Sequence, residues 1–202
     1  MPPHHHDVFL LTQSNMYQMR STILSFVLVF AFASIATAQK FRALDKSPMD
    51  VAYLPDNFAH DREDGDQAIV RVHYGQPQKK DRIVFGGLIP LNKVWRTGAN
   101  ESSEIKFYKD ITVAGESLKA GTYSLFTIPG EKEWTIIFNS EVDYWGAYGY
   151  KEANDVLRVK VSSSSLEEVV EAFSIRLEDM GDGKAVMRMA WDKTLVEVPI
   201  GY

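Results

Sequence analysis

Apolar and polar side chains alternate along several short stretches of the chain. In residues 69–74, Ile69, Arg71 and His73 share one face of an extended chain, and the residues between them share the other. A period of two is the pattern of a half-buried β-strand. Such runs are rich in the β-branched and aromatic residues that pleated sheets favour. Strands are predicted at residues 69–74, 82–85, 103–109, 111–113, 122–128, 133–139, 156–161, 169–177, 185–191 and 195–200, with a hairpin turn at 114–115 that leads to residues 117–118.

Short turns separate these runs, and no long stretch keeps a helical period. A Pro-Gly pair at 129–130 and an Asp-Gly pair at 182–183 are turn signals, and strands joined in this way form antiparallel meanders. Residues 162–165 are predicted to form a loop, and residues 151–154 and 165–171 to form short helical turns. Strands do not alternate with helices, which argues against a parallel sheet. We therefore expect an all-β fold, a single antiparallel β-sandwich or barrel-like domain of about nine or ten strands with one or two short helical turns.

An apolar run near the N-terminus has the features of a signal peptide. Arg20 precedes the almost continuously apolar residues 23–35, and small residues at Ala36 and Ala38 give the pattern that signal peptidase accepts. The run is shorter than the roughly 18 apolar residues that a membrane-spanning helix needs. We expect cleavage between Ala38 and Gln39 and an exported protein, periplasmic or secreted, with no membrane span after cleavage.

This leader divides the chain into three regions. The residues before the signal peptide suggest an upstream extension. Met16 and Met19 are therefore alternatives to Met1 as the start of translation. The predicted regions are residues 1–38, the extension plus signal peptide; residues 39–67, an irregular N-terminal segment; and residues 68–202, the β-sandwich domain.

Composition and charge exclude several classes of function. The chain has 45% hydrophobic and 24% charged residues, the balance of a folded globular protein. Its net charge is −5, and no basic face is evident, which argues against nucleic-acid binding. It has no cysteine, so disulfides, thiolate metal sites and a cysteine nucleophile are excluded.

The segment 94–102 is the most unusual polar stretch. It places Trp95, Arg96, Asn100 and Glu101 around a glycine between two strand-rich regions. A guanidinium is a planar fork of donors suited to carboxylate or phosphate, and loops on a rigid β scaffold commonly bind ligands. One interpretation is a site for a small polar or anionic ligand, with Trp95 as an apolar wall. The alternative is a structural loop, in which Arg96 pairs with a buried acid and Asn100 caps the backbone.

A second candidate is the segment 143–150, which carries four aromatic residues, Trp145 and Tyr148 among them, and two glycines. These rings are suited to stacking against a sugar. They are equally suited to closing one end of the sandwich, because tyrosine and tryptophan bury well with one wet edge.

His73 is the remaining candidate for chemistry. A general base needs an orienting acid and a nucleophile, and Glu101 and Ser102 qualify only if the fold brings them close to His73. The chain has no G-x-S-x-G elbow. Of the five histidines, those at positions 4–6 lie in the expected upstream extension; the other two, His60 and His73, are too few for a typical zinc site, so no metal and no cofactor are predicted.

Several longer motifs resemble one known family. They are Tyr74-Gly75-Gln76-Pro77, the stretches 83–90, 94–101 and 120–130, Trp145-Gly146-Ala147-Tyr148-Gly149-Tyr150, and the stretch 155–159. Together they are similar to the family called domain of unknown function 2911, over roughly residues 68–200. The resemblance implies an exported protein of bacteria with two membranes. It implies no activity, substrate or cofactor, and it carries no catalytic residues over to this chain.

Because no catalytic constellation is evident, we expect a non-catalytic binding or interaction module of the envelope or periplasm. Its expected partner is a small polar or anionic ligand or a sugar, without nucleic acid. Two alternatives stay open. One is an envelope hydrolase or lyase that uses His73 with Glu101, and the other is a structural envelope component without a ligand.

Overall fold

A computed structural model describes residues 41–202 of the chain. The chain divides into two units, residues 1–43 and residues 44–202, and the second contains every described helix and strand. The predicted signal peptide and its cleavage site lie outside the described residues. Within residues 41–202, no helix is long and apolar enough to cross a membrane.

Nine strands and two short helical turns make up residues 44–202. In chain order they are β1 (Met49–Leu54), α1 (Phe58–Asp61), β2 (Val70–Gly75), β3 (Ser103–Phe107), β4 (Ile111–Val113), β5 (Glu116–Leu118), β6 (Gly121–Ile128), β7 (Glu133–Asn139), a 3-10 turn (Glu152–Asn154), β8 (Asp155–Gly181) and β9 (Lys184–Gly201). All strand pairs are antiparallel, and the strands form one sheet in the order β1-β2-β3-β6-β7-β8-β9-β4-β5. The all-β antiparallel prediction is confirmed.

The long strand β8 belongs to both halves of the sheet. Its first part, residues 155–162, pairs with β7, and residues 163–165, 170, 174–179 and 181 pair with β9. The two halves pack against each other, because the Tyr74 ring of β2 lies edge-on to Phe173 of β8, with 5.7 Å between ring centroids. β2 and β8 are not neighbours in the sheet order, so this contact joins two layers.

One hydrophobic core fills the space between the layers. On β2, Val70, Val72 and Tyr74 are buried, while Arg71 and His73 alternate with them on the outer face. A cluster of large rings closes one end of this core, and its members are Phe85, Trp95, Trp134, Phe173 and Trp191.

Four local predictions differ from the structure. Residues 165–171 are part of β8, not a helical turn, and residues 162–165 continue the same strand instead of forming a loop. The reason is tertiary: residues 163–165 pair with β9, and the Phe173 amide donates to the Pro77 carbonyl at 2.9 Å. Residues 82–85 do not form a strand. The strands predicted at residues 185–191 and 195–200 are one continuous strand, β9, because residues 192 and 194 also pair with β8.

The N-terminal part of the described chain also contains unpredicted elements. Strand β1 and the helix α1 both lie in the segment 39–67, which was expected to be irregular. β1 forms one edge of the sheet and pairs with β2 along its whole length. Buried and exposed residues do not alternate along β1, and only Leu54 is fully buried. The period of two that marks other strands is therefore missing here.

Candidate ligand-binding site

The segment 94–102, here called the arginine loop, is fixed to the sheet at its start. Trp95 and Thr127 of β6 exchange two backbone hydrogen bonds, with N···O distances of 2.7 and 2.9 Å. This pairing directs the Trp95 side chain into the core, where it is 6% exposed. Its indole Nε1 donates to the Gly98 carbonyl at 3.1 Å, so the ring also holds the loop's turn.

Buried polar groups inside the arginine loop are satisfied by one another. The Thr97 hydroxyl donates to the Thr127 hydroxyl at 3.0 Å, and the Ser103 hydroxyl donates to the Thr97 carbonyl at 2.6 Å. Because unsatisfied buried donors and acceptors are costly, these bonds define one conformation of the loop. Thr97 and Asn100 both have a positive φ, 54° and 63°.

The Arg96 side chain is half-buried and has no acidic partner among the described residues. Its Nη1 donates to the Asn100 carbonyl at 2.9 Å. The Asn100 amide donates in turn to the Asp45 carboxylate at 2.9 Å. The structural alternative, a pair between Arg96 and a buried acid, is thus not what holds this loop; backbone and hydroxyl contacts hold it.

A second arginine faces the same space. The Arg82 guanidinium donates from Nε to the Lys79 carbonyl at 2.9 Å and from Nη2 to the Gln78 carbonyl. Within residues 41–202 it forms no ion pair with a carboxylate either. These carbonyls orient the guanidinium without neutralising its charge.

Arg82 and Arg96 line a cavity of about 300 Å³, here called the arginine cavity. Its floor includes the Trp95 and Trp191 rings, which stack on each other with centroids 6.0 Å apart and an angle of 20° between planes, and which are only 6% and 1% exposed. The other lining residues are Ser47, Pro77, Leu88, Ile89, Gly98, Ala99 and Asn100. The cavity therefore joins two cationic groups to an apolar floor.

The segment 143–150, here called the aromatic loop, lies directly beside the arginine loop. The Gly146 amide donates to the Asn100 carbonyl at 2.9 Å, and the Ser102 amide donates to the Tyr144 carbonyl at 2.9 Å. Glu101 and Trp145 face each other in the same short antiparallel bridge. The two segments that the sequence presented as separate candidates are thus parts of one site.

The four aromatic residues of this loop have two different roles. The rings of Tyr144 and Tyr150 pack on Phe126 of β6, with centroid distances of 5.7 and 5.1 Å. They cover the outer face of the sheet. Trp145 and Tyr148 project outward and are 59% and 84% exposed. The loop is therefore both a plug and an exposed aromatic surface.

His73 lies in a different setting from the one expected for a His73–Glu101 pair. Its partner in the register is Glu104 of β3, and the Glu104 carboxylate accepts a hydrogen bond from the Asp143 amide at 2.9 Å. Partial burial lowers the pKa of His73 below its usual value, and the Arg71 guanidinium lowers this pKa further, while Glu104 acts in the opposite direction. An imidazole in these surroundings is neutral at pH 7.

A row of polar residues across the outer face anchors the aromatic loop. His73, Glu104, Ser124, Asn139 and Asp155 are consecutive register partners across β2, β3, β6, β7 and β8. The fully buried Asn139 amide donates to the Asp155 carboxylate at 2.8 Å and to the carbonyl of residue 151 at 3.1 Å. This row secures both ends of the loop.

A family model matches residues 57–200, which is most of the chain. The chain belongs to the family described as Protein of unknown function (DUF2911). The match spans Arg82, the arginine loop and the aromatic loop, whereas Ser47 at the rim of the cavity precedes it. No curated protein and no solved structure matches the chain.

Sequence reasoning found part of this DUF2911 site. It singled out Trp95, Arg96, Asn100 and the aromatic loop, but it missed Arg82 and Trp191, which approach the cavity from distant parts of the chain. No local signal marks these two residues, because each is separated from the arginine loop by at least one strand or long turn. Among residues 41–202, no group of histidine and acidic side chains is arranged to hold a metal ion.

Proposed function

We propose that this DUF2911 protein is an exported, non-catalytic binding protein that holds a small organic anion in the arginine cavity. One observation carries the proposal. Two guanidinium groups, Arg82 and Arg96, line a cavity with an indole floor, and neither has a carboxylate partner among the described residues. A ligand with an acidic group and an apolar or ring-shaped body provides a counter-charge for the two guanidinium groups and an apolar contact for the floor.

The orientation of the arginines supports an anionic ligand. Backbone carbonyls already hold both guanidinium groups in place, at Lys79 for Arg82 and at Asn100 for Arg96. Guanidinium groups bind carboxylate and phosphate through pairs of charge-assisted hydrogen bonds, which are stronger than bonds between neutral groups. Little side-chain freedom is lost on binding, since both groups are ordered beforehand.

The volume of the cavity limits the size of the ligand. A cavity of about 300 Å³ holds the volume of roughly ten water molecules. This corresponds to one ring with an acidic substituent. Leu88 and Ile89, together with the small exposed parts of the Trp95 and Trp191 rings, offer the apolar contact that such a ring requires.

The absence of a nucleophile–base pair in the described contacts supports a binding role over hydrolysis. The nearby hydroxyls of Ser102 and Ser103 bond to the Ser124 hydroxyl and the Thr97 carbonyl, not to an imidazole. His73 is beside Glu104 and Arg71. A hydrolase needs its nucleophile hydrogen-bonded to a base that a third group orients.

Export is part of the proposal and rests on the leader. The apolar residues 23–35, followed by Ala36-Thr37-Ala38, are typical of a cleaved signal peptide. Intact-mass measurement of the protein from the periplasm or culture medium is expected to give a chain that begins at Gln39. Recovery of uncleaved chain in the membrane fraction would contradict export as a soluble protein.

Isothermal titration calorimetry with benzoate, phenyl phosphate and D-glucuronate tests the binding function. We expect at least one of these anions to bind saturably, and Arg96→Gln and Arg82→Gln each to weaken it about tenfold or more, since a hydrogen bond to a charged group is worth about 1.5–3 kcal/mol. Arg176→Gln is the matched control, because it removes the same charge from an exposed position on β8 outside the cavity. Equal affinities in all four proteins would refute the proposal.

A further inference from the structure

Beyond the arginine cavity, the exposed Tyr148 ring of the aromatic loop lies close to the Arg96 guanidinium. The contact point is Gly146, which has a positive φ of 67°. A Cβ built on this glycine would lie 3.0 Å from the Tyr148 ring and 3.4 Å from the Arg96 guanidinium carbon. The ring and the guanidinium therefore flank the same backbone position, and a ligand can touch both.

We propose that the site binds an acidic saccharide, with the acidic unit in the arginine cavity and a neighbouring neutral sugar on Tyr148 and Trp145. This proposal rests on the proposed function, and it names the class of ligand that the same site takes. The neutral unit occupies a second subsite, which the cavity itself does not contain.

The exposure of the two rings is built into a well-ordered loop. Two backbone hydrogen bonds of 2.9 Å, from the Gly146 and Ser102 amides, fix the loop to its neighbour. Two other rings of the same loop, Tyr144 and Tyr150, are packed on Phe126. Against this fixed background, Tyr148 is 84% and Trp145 is 59% exposed. Rings that project from a backbone fixed in this way offer an exposed face to the apolar face of a sugar, because each ring is large and amphipathic.

The distribution of charge decides which unit of the ligand lies where. The cavity carries two guanidinium groups. The aromatic surface has Glu101 opposite Trp145 in the short bridge, and the exposed Asp143 lies two residues before Trp145. A second acidic unit at this surface would be repelled. Carboxylates beside exposed rings instead accept hydrogen bonds from the hydroxyl groups of a neutral sugar.

The test compares three ligands by isothermal titration calorimetry with the exported protein. Cellobiouronic acid contains glucuronic acid linked to glucose; D-glucuronate lacks the neutral unit, and cellobiose lacks the acid. We expect cellobiouronic acid to bind about fivefold to tenfold more tightly than D-glucuronate, and cellobiose to bind weakly or undetectably.

Variants assign this gain to the aromatic surface. Tyr148→Ala is expected to abolish the difference between the two acids, because it weakens the binding of cellobiouronic acid more than that of D-glucuronate. Tyr148→Phe retains the ring and is expected to keep the difference. Since Tyr148 is mostly exposed, its replacement is expected to leave the thermal unfolding midpoint unchanged, which serves as the control for folding.

The outcomes separate the two proposals. If both acids bind with equal affinity and Arg96→Gln weakens both, the arginine cavity stands and the second subsite is refuted. Tighter binding of cellobiouronic acid that persists in Tyr148→Ala also refutes the second subsite. If benzoate or phenyl phosphate binds through Arg96 but neither sugar acid binds, the saccharide is the wrong class. If no acid binds in an Arg96-dependent way, the proposed function itself fails.

Discussion

At the scale of single residues, Gly75 and Gly98 decide how closely the arginine loop approaches the sheet. A Cβ on Gly75 would lie 2.3 Å from the Ala99 carbonyl oxygen, and one on Gly98 would lie 2.9 Å from the Gly75 carbonyl oxygen. Both neighbours are backbone atoms, which cannot rotate away. These glycines are thus required by close packing of two chain segments, and the position of Arg96 depends on them.

Gly75→Ala is therefore expected to destabilise the protein by about 2 kcal/mol or more, because the loop must move to admit the methyl group. Urea unfolding measures the loss. Gly115→Ala is the comparison, since a Cβ there meets nothing within 4 Å and only the positive φ of 89° opposes it. The expected loss is then about 1 kcal/mol, the cost of placing an L side chain in a left-handed conformation. A loss at Gly75 no greater than at Gly115 would contradict the close approach.

Asn139 is the residue on which the aromatic loop most depends. Its amide donates to Asp155 and to the residue 151 carbonyl, and its carbonyl oxygen accepts from the Glu141 amide at 3.1 Å. Replacing it by alanine leaves these partners unsatisfied in a buried place.

We expect Asn139→Ala to cost about 3 kcal/mol of unfolding free energy, since each buried group left without a partner costs about 1–3 kcal/mol. Ser140→Ala is the matched control next in sequence. Its hydroxyl is exposed and makes a single bond of 3.1 Å to the Asn154 carbonyl, so a loss of less than about 1 kcal/mol is expected. Comparable losses in the two variants would show that the Asn139 network does not secure the loop.

The lowered pKa of His73 predicts how stability depends on pH. Burial and Arg71 disfavour the charged imidazole in the folded state, and Glu104 only partly compensates. The folded pKa thus lies below the unfolded value of about 6.5, and the unfolded state takes up the proton first as the pH falls. Above pH 7, His73 therefore does not lower the free energy of unfolding. From pH 7 downward it lowers this free energy progressively, until the pH falls below the pKa of His73 in the folded state.

Thermal unfolding of wild type and His73→Gln between pH 8 and pH 5 measures this effect. The wild type is expected to lose more stability than the variant across this range, and the difference isolates His73 from the carboxylates that titrate at lower pH. A larger loss in the variant would mean that Glu104 outweighs burial and Arg71.

At the scale of secondary-structure elements, the residue pattern along the chain predicted short strands that are bounded by turn residues. Residues 103–109, 122–128 and 133–139 correspond to β3, β6 and β7. β3 alternates buried and partly buried residues, and a short turn joins β6 to β7. β8 was predicted as two strands with a loop or helical turn between them, since its polar middle shows no alternation. Its continuity depends on pairing with β9 and with residues 77–79.

The candidate site, too, could be predicted only in part from the local sequence pattern. The chemistry of Arg96 and of the exposed rings was visible in their residue types. Their contact is made by backbone hydrogen bonds between residues more than 40 positions apart, Asn100 with Gly146 and Ser102 with Tyr144. No side-chain pattern encodes such bonds, since any residue except proline can donate them.

Hydrogen exchange along β8 tests its irregular middle. Residues 174–177 have regular register partners on β9, whereas the register skips residues 166–169 between Ser165 and Val170. We expect the amides of residues 166–169 to exchange faster than those of residues 174–177, because local opening needs fewer bonds to break. Strong protection across residues 166–169 would indicate a regular ladder or a helical turn there.

At the scale of the whole molecule, the positive charge of the arginine cavity is opposite in sign to the net charge of the chain. The chain has a net charge of −5, so the long-range field of the protein repels anions. This repulsion falls off over a Debye length of about 8 Å at physiological ionic strength, whereas contact with two oriented guanidinium groups persists. Selective retention of an anion on an acidic protein therefore depends on the local geometry of Arg82 and Arg96.

Anion binding in the arginine cavity is tested most directly by the four tryptophan indole N–H signals in an NMR titration with benzoate, with benzamide as the neutral control. We expect saturable shifts of the Trp95 and Trp191 signals, because these rings form the cavity floor. We also expect no shift of the buried Trp134 signal, and loss of the response in Arg96→Gln. If benzoate leaves Trp95 and Trp191 unmoved, or moves them equally in Arg96→Gln, the arginine cavity is not an anion-binding site.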